Sequence, residues 1–133
     1  MQIQLKDGKA TWKQEWKVVG GQRIFFRSRW EYRYAMYLQL LKEKGEIIDW
    51  KHEPKIFWFD GIKRGTNNYK PDFLVIHKNG AEEYIEIKGY MDAKSKTKIK
   101  RMAKYHPNVL LRVVEKDFFS KNGKLLKAVL KDW

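Results

Sequence analysis

The sequence predicts an α/β fold, a mixed β-sheet flanked by helices. Three observations carry that expectation. A capped amphipathic helix, opened by Ser28 and stopped by Gly45, precedes a series of short strand-like runs. Two alternating segments, 69–77 and 81–88, meet at Asn79-Gly80, the signal of a β-hairpin. A second helix over 93–105 then leads into an apolar run at 108–114 (NVLLRVV), the pattern of a buried strand.

The remaining elements follow in chain order. Residues 1–21 are polar, carry tryptophan and end in Gly20-Gly21, and they read as an N-terminal leader of uncertain order. Residues 22–27 (QRIFFR) read as a short strand. The helix from Ser28 to about Lys44 places Trp30, Tyr34, Leu38 and Leu41 on one stripe. Residues 46–53 and 55–59 read as strands around Pro54, and 60–68 (DGIKRGTNN) as a loop. The helix over 93–105 is dense in lysine and stops before Pro107, with Ile99 and Met102 toward the core. A short helix is expected in the tail. With 133 residues and no repeat or linker, the chain is expected to form one domain over 1–133.

Charge narrows the function. There are 29 Lys+Arg against 16 Asp+Glu, a formal net charge of +13, which favours a polyanionic partner, nucleic acid first. Hydrophobic residues make up 43% and aromatics 15%, enough for a sizeable core. No apolar stretch reaches the length of a membrane span, and residues 1–17 lack the apolar core of a secretory signal. The absence of cysteine excludes disulfides, thiolate zinc and a cysteine nucleophile. A cytoplasmic location is expected. His52, His77 and His106 have no metal-ligand spacing and read as surface or strand residues.

The chemistry concentrates in Pro71-Asp72-Phe73 and Glu86-Ile87-Lys88. Mg²⁺ prefers hard oxygen ligands, and Asp72, Glu86 and the backbone carbonyl of Ile87 can supply three. Lys88 would then orient an attacking water and stabilise developing negative charge. The bland alternative is a set of solvated strand residues with one weak Glu-Lys pair. Hairpin register separates the two. A two-residue Asn79-Gly80 turn pairs Asp72 with Ile87 and sends Asp72 to the face opposite Glu86. A three-residue turn over 78–80, with Gly80 left-handed, sets Asp72 across from Glu86. The site therefore requires the odd-length turn.

Glu31 has two readings. In Ser28-Arg29-Trp30-Glu31 it fits a capping box, reaching back to the Ser28 N–H, and the spacing favours this. The alternative directs it to the metal as an outer or second-metal carboxylate. Among basic residues, Lys94, Lys96, Lys98, Lys100, Arg101 and Lys104 crowd the second helix, and Arg23, Arg27, Arg29, Lys63, Arg64 and Lys70 add further charge. A solvated helix accounts for many of them; a phosphate-tracking surface is the functional reading. No base-reading element is evident, so recognition of DNA shape and backbone is expected. Trp30, Trp50 and Trp58 read as core, and Tyr90 as the aromatic most directed to DNA.

Ser28-x-x-Glu31, Pro71-Asp72-Phe73-Leu74, Glu86-Ile87-Lys88-Gly89-Tyr90, a basic helix and His106-Pro107 before an apolar strand together resemble the PD-(D/E)XK nuclease superfamily. Within it the likeness is to endonuclease I-type phage junction-resolving enzymes, and more loosely to archaeal Holliday junction resolvases. It covers roughly residues 22–115. The resemblance implies a restriction-endonuclease-like fold, with Glu31, Asp72, Glu86 and Lys88 on the catalytic positions. It further implies Mg²⁺ or Mn²⁺ as cofactor, 5′-phosphate products and a homodimer making paired cuts in a four-way junction. It moves Glu31 from cap toward the acidic cluster. The same motifs serve nicking, homing and transposon-end nucleases, so the substrate stays open. The rival from another class is a nucleic-acid-binding protein with structural carboxylates.

Overall fold

The computed structural model describes residues 14–133 in full, together with the backbone of 3–6 and 9–12. Along the chain these form β1 (Ile3–Lys6), β2 (Lys9–Trp12), β3 (Glu15–Val19), β4 (Gln22–Phe26), α1 (Arg29–Glu43), β5 (Ile47–His52) and β6 (Phe57–Trp58). There follow β7 (Asn68–Tyr69), β8 (Phe73–His77), β9 (Glu82–Lys88), α2 (Ala93–Tyr105), β10 (Leu110–Glu115) and α3 (Lys116–Val129).

Four strands make the central sheet, in the order β10, β9, β8, β5. The pairs β5–β8 and β8–β9 are antiparallel, and β9–β10 is parallel. A parallel pair needs a crossover, and α2 provides it. The sheet is therefore mixed and flanked by helices, as the sequence leads one to expect.

Alternation along the strands divides the core in two. Phe73, Val75, Ile85, Ile87, Trp50 and Val114 meet Tyr34, Ala35 and Leu38 of α1 and Phe119 of α3 on one face. Leu74 and Tyr84 meet Met102 of α2 and Phe57, Phe59 and Tyr69 of the β6–β7 ribbon on the other. Trp50 is fully buried, and its indole N–H donates to Gln39 Oε1 at 2.9 Å, which satisfies the polar edge of that ring. Asp72, Glu86 and Lys88 belong to the α2 face by the same alternation.

The hairpin takes the odd-length form. His77 N–H donates to the Ala81 carbonyl at 2.9 Å, and Gly80 N–H donates back to His77 at 2.8 Å. Gly80 sits at φ +86°, the left-handed position that the three-residue turn requires. Phe73 pairs with Ile85 and Leu74 with Tyr84, so the register continued by one residue sets Asp72 against Glu86.

Some elements depart from expectation. Residues 15–26, partly assigned to the leader, form the β3–β4 hairpin around Gly20-Gly21, both at positive φ. For the rest of that leader, residues 1, 2, 7, 8 and 13 and all side chains of 1–13 lie outside the described residues. The strand expected over 69–77 is divided, because Pro71 has no N–H to offer a ladder. Its first part, β7, pairs with β6 instead. Trp58, read as core, is 57% exposed because β6 turns that side chain away from α2. The tail helix is long, at 14 residues. Among the described residues no helix is long and apolar enough to cross a membrane.

Because Gly80 is left-handed, Gly80→Ala is expected to cost about 1–2 kcal/mol in urea unfolding, with Gly80→Asn recovering much of it. An unchanged midpoint for the alanine variant would mean that the turn, and the register it sets, differ from those described.

Candidate active site

Asp72 stands where β7 gives way to β8 and is fixed on three sides. Its N–H donates to the Ile85 carbonyl at 3.1 Å, and its own carbonyl accepts from Glu53 N–H at 2.8 Å. Its Oδ2 accepts from the Ile87 N–H at 2.7 Å. Opposite it, Glu86 is buried in mid-strand, and its Oε1 accepts from the Tyr69 hydroxyl at 2.7 Å. Each carboxylate thus has one oxygen tied down by a protein donor. Glu86 Oε2 faces the Lys88 ammonium at 3.6 Å, and Asp72 Oδ1 has no donor among the described residues.

This arrangement strains the ionised state. Burial, then the charge of Glu86, push the Asp72 carboxyl up to about 8, against the opposing pull of the Ile87 N–H and Lys88; Glu31 adds to the rise. Burial also raises Glu86, opposed by the Tyr69 hydroxyl, Lys88 and Lys98. Burial and the neighbouring Glu86 charge raise the Tyr69 hydroxyl in turn, so it stays a donor.

Glu31 enters from the first turn of α1. Ser28 caps that helix, its Oγ accepting from Glu31 N–H at 3.1 Å. The carboxylate, however, reaches past the Ser28 N–H to that of Arg27, at 3.2 Å. Capping and proximity to the acidic pair therefore coexist: Glu31 is buried, and its charge is felt at Asp72.

Beside it lies a cluster that the histidine spacing did not reveal. Ligand atoms of Glu31, His52 and Glu53 lie within 4.8 Å of one another. His52 Nε2 is buried, 3.5 Å from Glu31 and 3.7 Å from Glu53, and has no hydrogen-bond partner among the described residues. Glu53 is already met by Arg27 at 2.9 Å and Lys70 at 2.5 Å, and burial notwithstanding, these cations hold its carboxyl below the ordinary range. That cluster carries its own countercharge. Among the described residues, Lys88 is the cation in ion-pair range of the Asp72–Glu86 pair, and Lys98 acts on Glu86 from farther off.

The basic residues separate by what they touch. Arg27 and Lys70 are paired with Glu53, and Arg101 donates to the Thr66 carbonyl. Arg29 donates to the carbonyls of Asp132 and Trp133 at 3.0 and 3.2 Å, tying the tail to the start of α1. Lys63, Arg64, Lys94, Lys96, Lys100 and Lys104 are exposed. Lys98 is half-buried, its ammonium 6.0 Å from the Tyr69 ring centre. Ser95, Lys98 and Met102 share a face at helical spacing, which marks Lys98 as the lysine turned inward. Ile87 points to the α1 face and offers only its backbone to the site. Tyr90 is 80% exposed, directly after Gly89.

Gly89 is there for space. A Cβ on it would lie 2.7 Å from Trp30 Cζ3, and that indole is held in place by stacking on Phe119 at 4.9 Å. Ser28, Arg29, Trp30, Ile87, Lys88 and Gly89 line a cleft of about 530 Å³ beside the lysine.

Residues 11–122 match the family described as protein of unknown function DUF1064. The chain belongs to that family. Among curated proteins, none matches it. Sequence reasoning missed Tyr69, His52 and Glu53. Tyr69 reaches Glu86 only through the β6–β7 ribbon, which no local pattern announces.

Two outcomes follow from this geometry. A raised Asp72 carboxyl means that the folded state holds its proton from about pH 4 to about pH 8, while the unfolded chain has released it. The contribution is therefore present at low pH and lost as pH rises through about 8. In metal-free buffer, Asp72→Asn should gain in melting temperature over the wild type progressively across that window; parallel curves would contradict the raised carboxyl. Gly89→Ala should displace Trp30 or the Lys88 backbone, lowering any activity of the site at least tenfold while leaving the far-ultraviolet circular dichroism unchanged.

Proposed function

We propose that this chain is a divalent-metal-dependent DNA endonuclease of the PD-(D/E)XK kind, acting on branched DNA. The observation that carries the reading is the opposed pair, Asp72 and Glu86, each with one oxygen anchored by a protein donor, and with the second oxygen of Glu86 3.6 Å from Lys88. A buried and a half-buried carboxylate with one cation in ion-pair range are costly unless something compensates them. A hard-oxygen donor set fits Mg²⁺, with Mn²⁺ as substitute, and Asp72 Oδ1, Glu86 Oε2 and the Ile87 carbonyl would hold it. When bound, the metal would polarise the phosphate and acidify water.

The chain's own residues do the rest. Lys88, one-third exposed, holds the attacking water and offsets charge that builds on the phosphate oxygens. Water attacks phosphorus and gives up a proton to solvent, the bond to the 3′ oxygen breaks, and that oxygen takes a proton from solvent, leaving a 3′-hydroxyl and a 5′-phosphate end. Glu31 completes the acidic cluster. Exposed Lys94, Lys96, Lys100 and Lys104 on α2, with Lys63 and Arg64, contact phosphates on either side. The net charge of +13 supports a polyanionic partner. A homodimer would supply two paired cuts, in the cytoplasm.

The test is cleavage of an end-labelled four-way junction in Mg²⁺, beside duplex and single strand of the same sequence. Symmetric cuts confined to the junction and abolished by EDTA are expected. Glu86→Ala or Lys88→Ala should lower cutting by at least a hundredfold while the junction is still bound. Equal cutting of duplex would overturn the substrate. Binding without cutting of any substrate would overturn the nuclease in favour of a binding protein.

A further inference from the structure

We infer that Tyr69 is a positioning residue for this site, fixing Glu86 so that Oε2 is the oxygen presented to a divalent cation. The inference rests on the metal-site reading above and assigns the residue that sets the site's geometry.

Tyr69 is only 2% exposed. Its ring belongs to the cluster of Phe57, Phe59, Leu74, Tyr84 and Met102, a place that phenylalanine would fill equally well. The hydroxyl is what needs explaining, because a buried O–H is unfavourable unless it is bonded. Among the described residues its partner is Glu86 Oε1, at 2.7 Å. That bond removes one of the two oxygens from competition. Without it the carboxylate could turn either oxygen toward Lys88, or swing away from Asp72.

The way Tyr69 is held supports the assignment. It sits in a strand of two residues that, among the described residues, pairs with β6 alone, Tyr69 opposite Phe57, outside the central sheet. The bond therefore bridges the ribbon to mid-strand β9. Lys98 lies over the ring at 6.0 Å, so the aromatic face is covered as well. The Ile87 N–H does for Asp72 what the Tyr69 hydroxyl does for Glu86. Partners that orient ligating carboxylates in this way typically govern metal affinity by 10–100-fold.

The experiment is a titration of Mn²⁺ into the full chain, without DNA, followed by calorimetry and by electron paramagnetic resonance. Wild type, Tyr69→Phe, Tyr84→Phe and Asp72→Asn are compared, with circular dichroism giving the folded fraction to which affinity is referred. Tyr84 is a buried tyrosine of the same sheet face and serves as the baseline for losing a hydroxyl there. Tyr69→Phe is expected to weaken Mn²⁺ binding about 10–100-fold, with Tyr84→Phe unchanged. DNA cutting by Tyr69→Phe should return as Mn²⁺ is raised, a recovery that mere structural damage would not give. Equal Mn²⁺ affinity in Tyr69→Phe and wild type would overturn the role of Tyr69 and leave the metal site standing. Wild-type protein that binds no Mn²⁺, or binds it as well after Asp72→Asn, would overturn both.

Discussion

The three-residue turn at 78–80 is the constraint on which the site depends. Side chains alternate along a strand, so one residue more or less in that turn would send Asp72 to the opposite face. With Gly80 left-handed, Asp72 and Glu86 oppose each other, Ile85 and Ile87 enter the α1 core, and Lys88 joins the two carboxylates. Core and site are thus specified together. A slip that scattered the site would also expose the isoleucines, and burial of those side chains is worth roughly 1.5–3 kcal/mol each.

Charge compensation distinguishes the two acidic groups of this fold. Around Glu53, Arg27 and Lys70 lie within 2.9 Å, and the cluster is neutralised by the chain itself. Around Asp72 and Glu86, burial outweighs Lys88, Lys98 and the hydrogen bonds from Ile87 and Tyr69, and both carboxyls rise. A protein with 29 basic residues could have covered that pair, yet most of them lie on exposed surface. It is this incomplete compensation, in a positively charged surround, on which the proposal of a metal and a phosphate backbone rests.

Much of this was legible in the sequence because it is local. The Ser28 cap, the bounds of α2 and the inward Ile85 and Ile87 all follow from patterns spanning a few residues, whereas Asn79-Gly80 left two turn lengths open and the left-handed Gly80 decides between them. What was not legible is long-range. Tyr69 meets Glu86 through a ribbon whose strands have two residues each, too short for any alternation to show. His52 joins Glu31 because β5 ends beside the start of α1, and sequence spacing between histidines carries no trace of that. Trp58 was misjudged because an aromatic in a short apolar run has no period by which to tell inside from outside. The assignment of Glu31 shows a different limit. Cap and cluster were posed as alternatives, whereas the backbone N–H serves the cap while the carboxylate accepts from the Arg27 N–H beside His52, close enough for its charge to be felt at Asp72.

The central claim is that a divalent cation belongs between Asp72 and Glu86. Crystals soaked in Mn²⁺ and measured at a wavelength where manganese scatters anomalously test it most directly. The account predicts an anomalous peak within about 2.0–2.4 Å of Asp72 Oδ1 and Glu86 Oε2, absent in Glu86→Gln crystals. A peak confined to Glu31, His52 and Glu53, or no peak in a well-occupied soak, would contradict it.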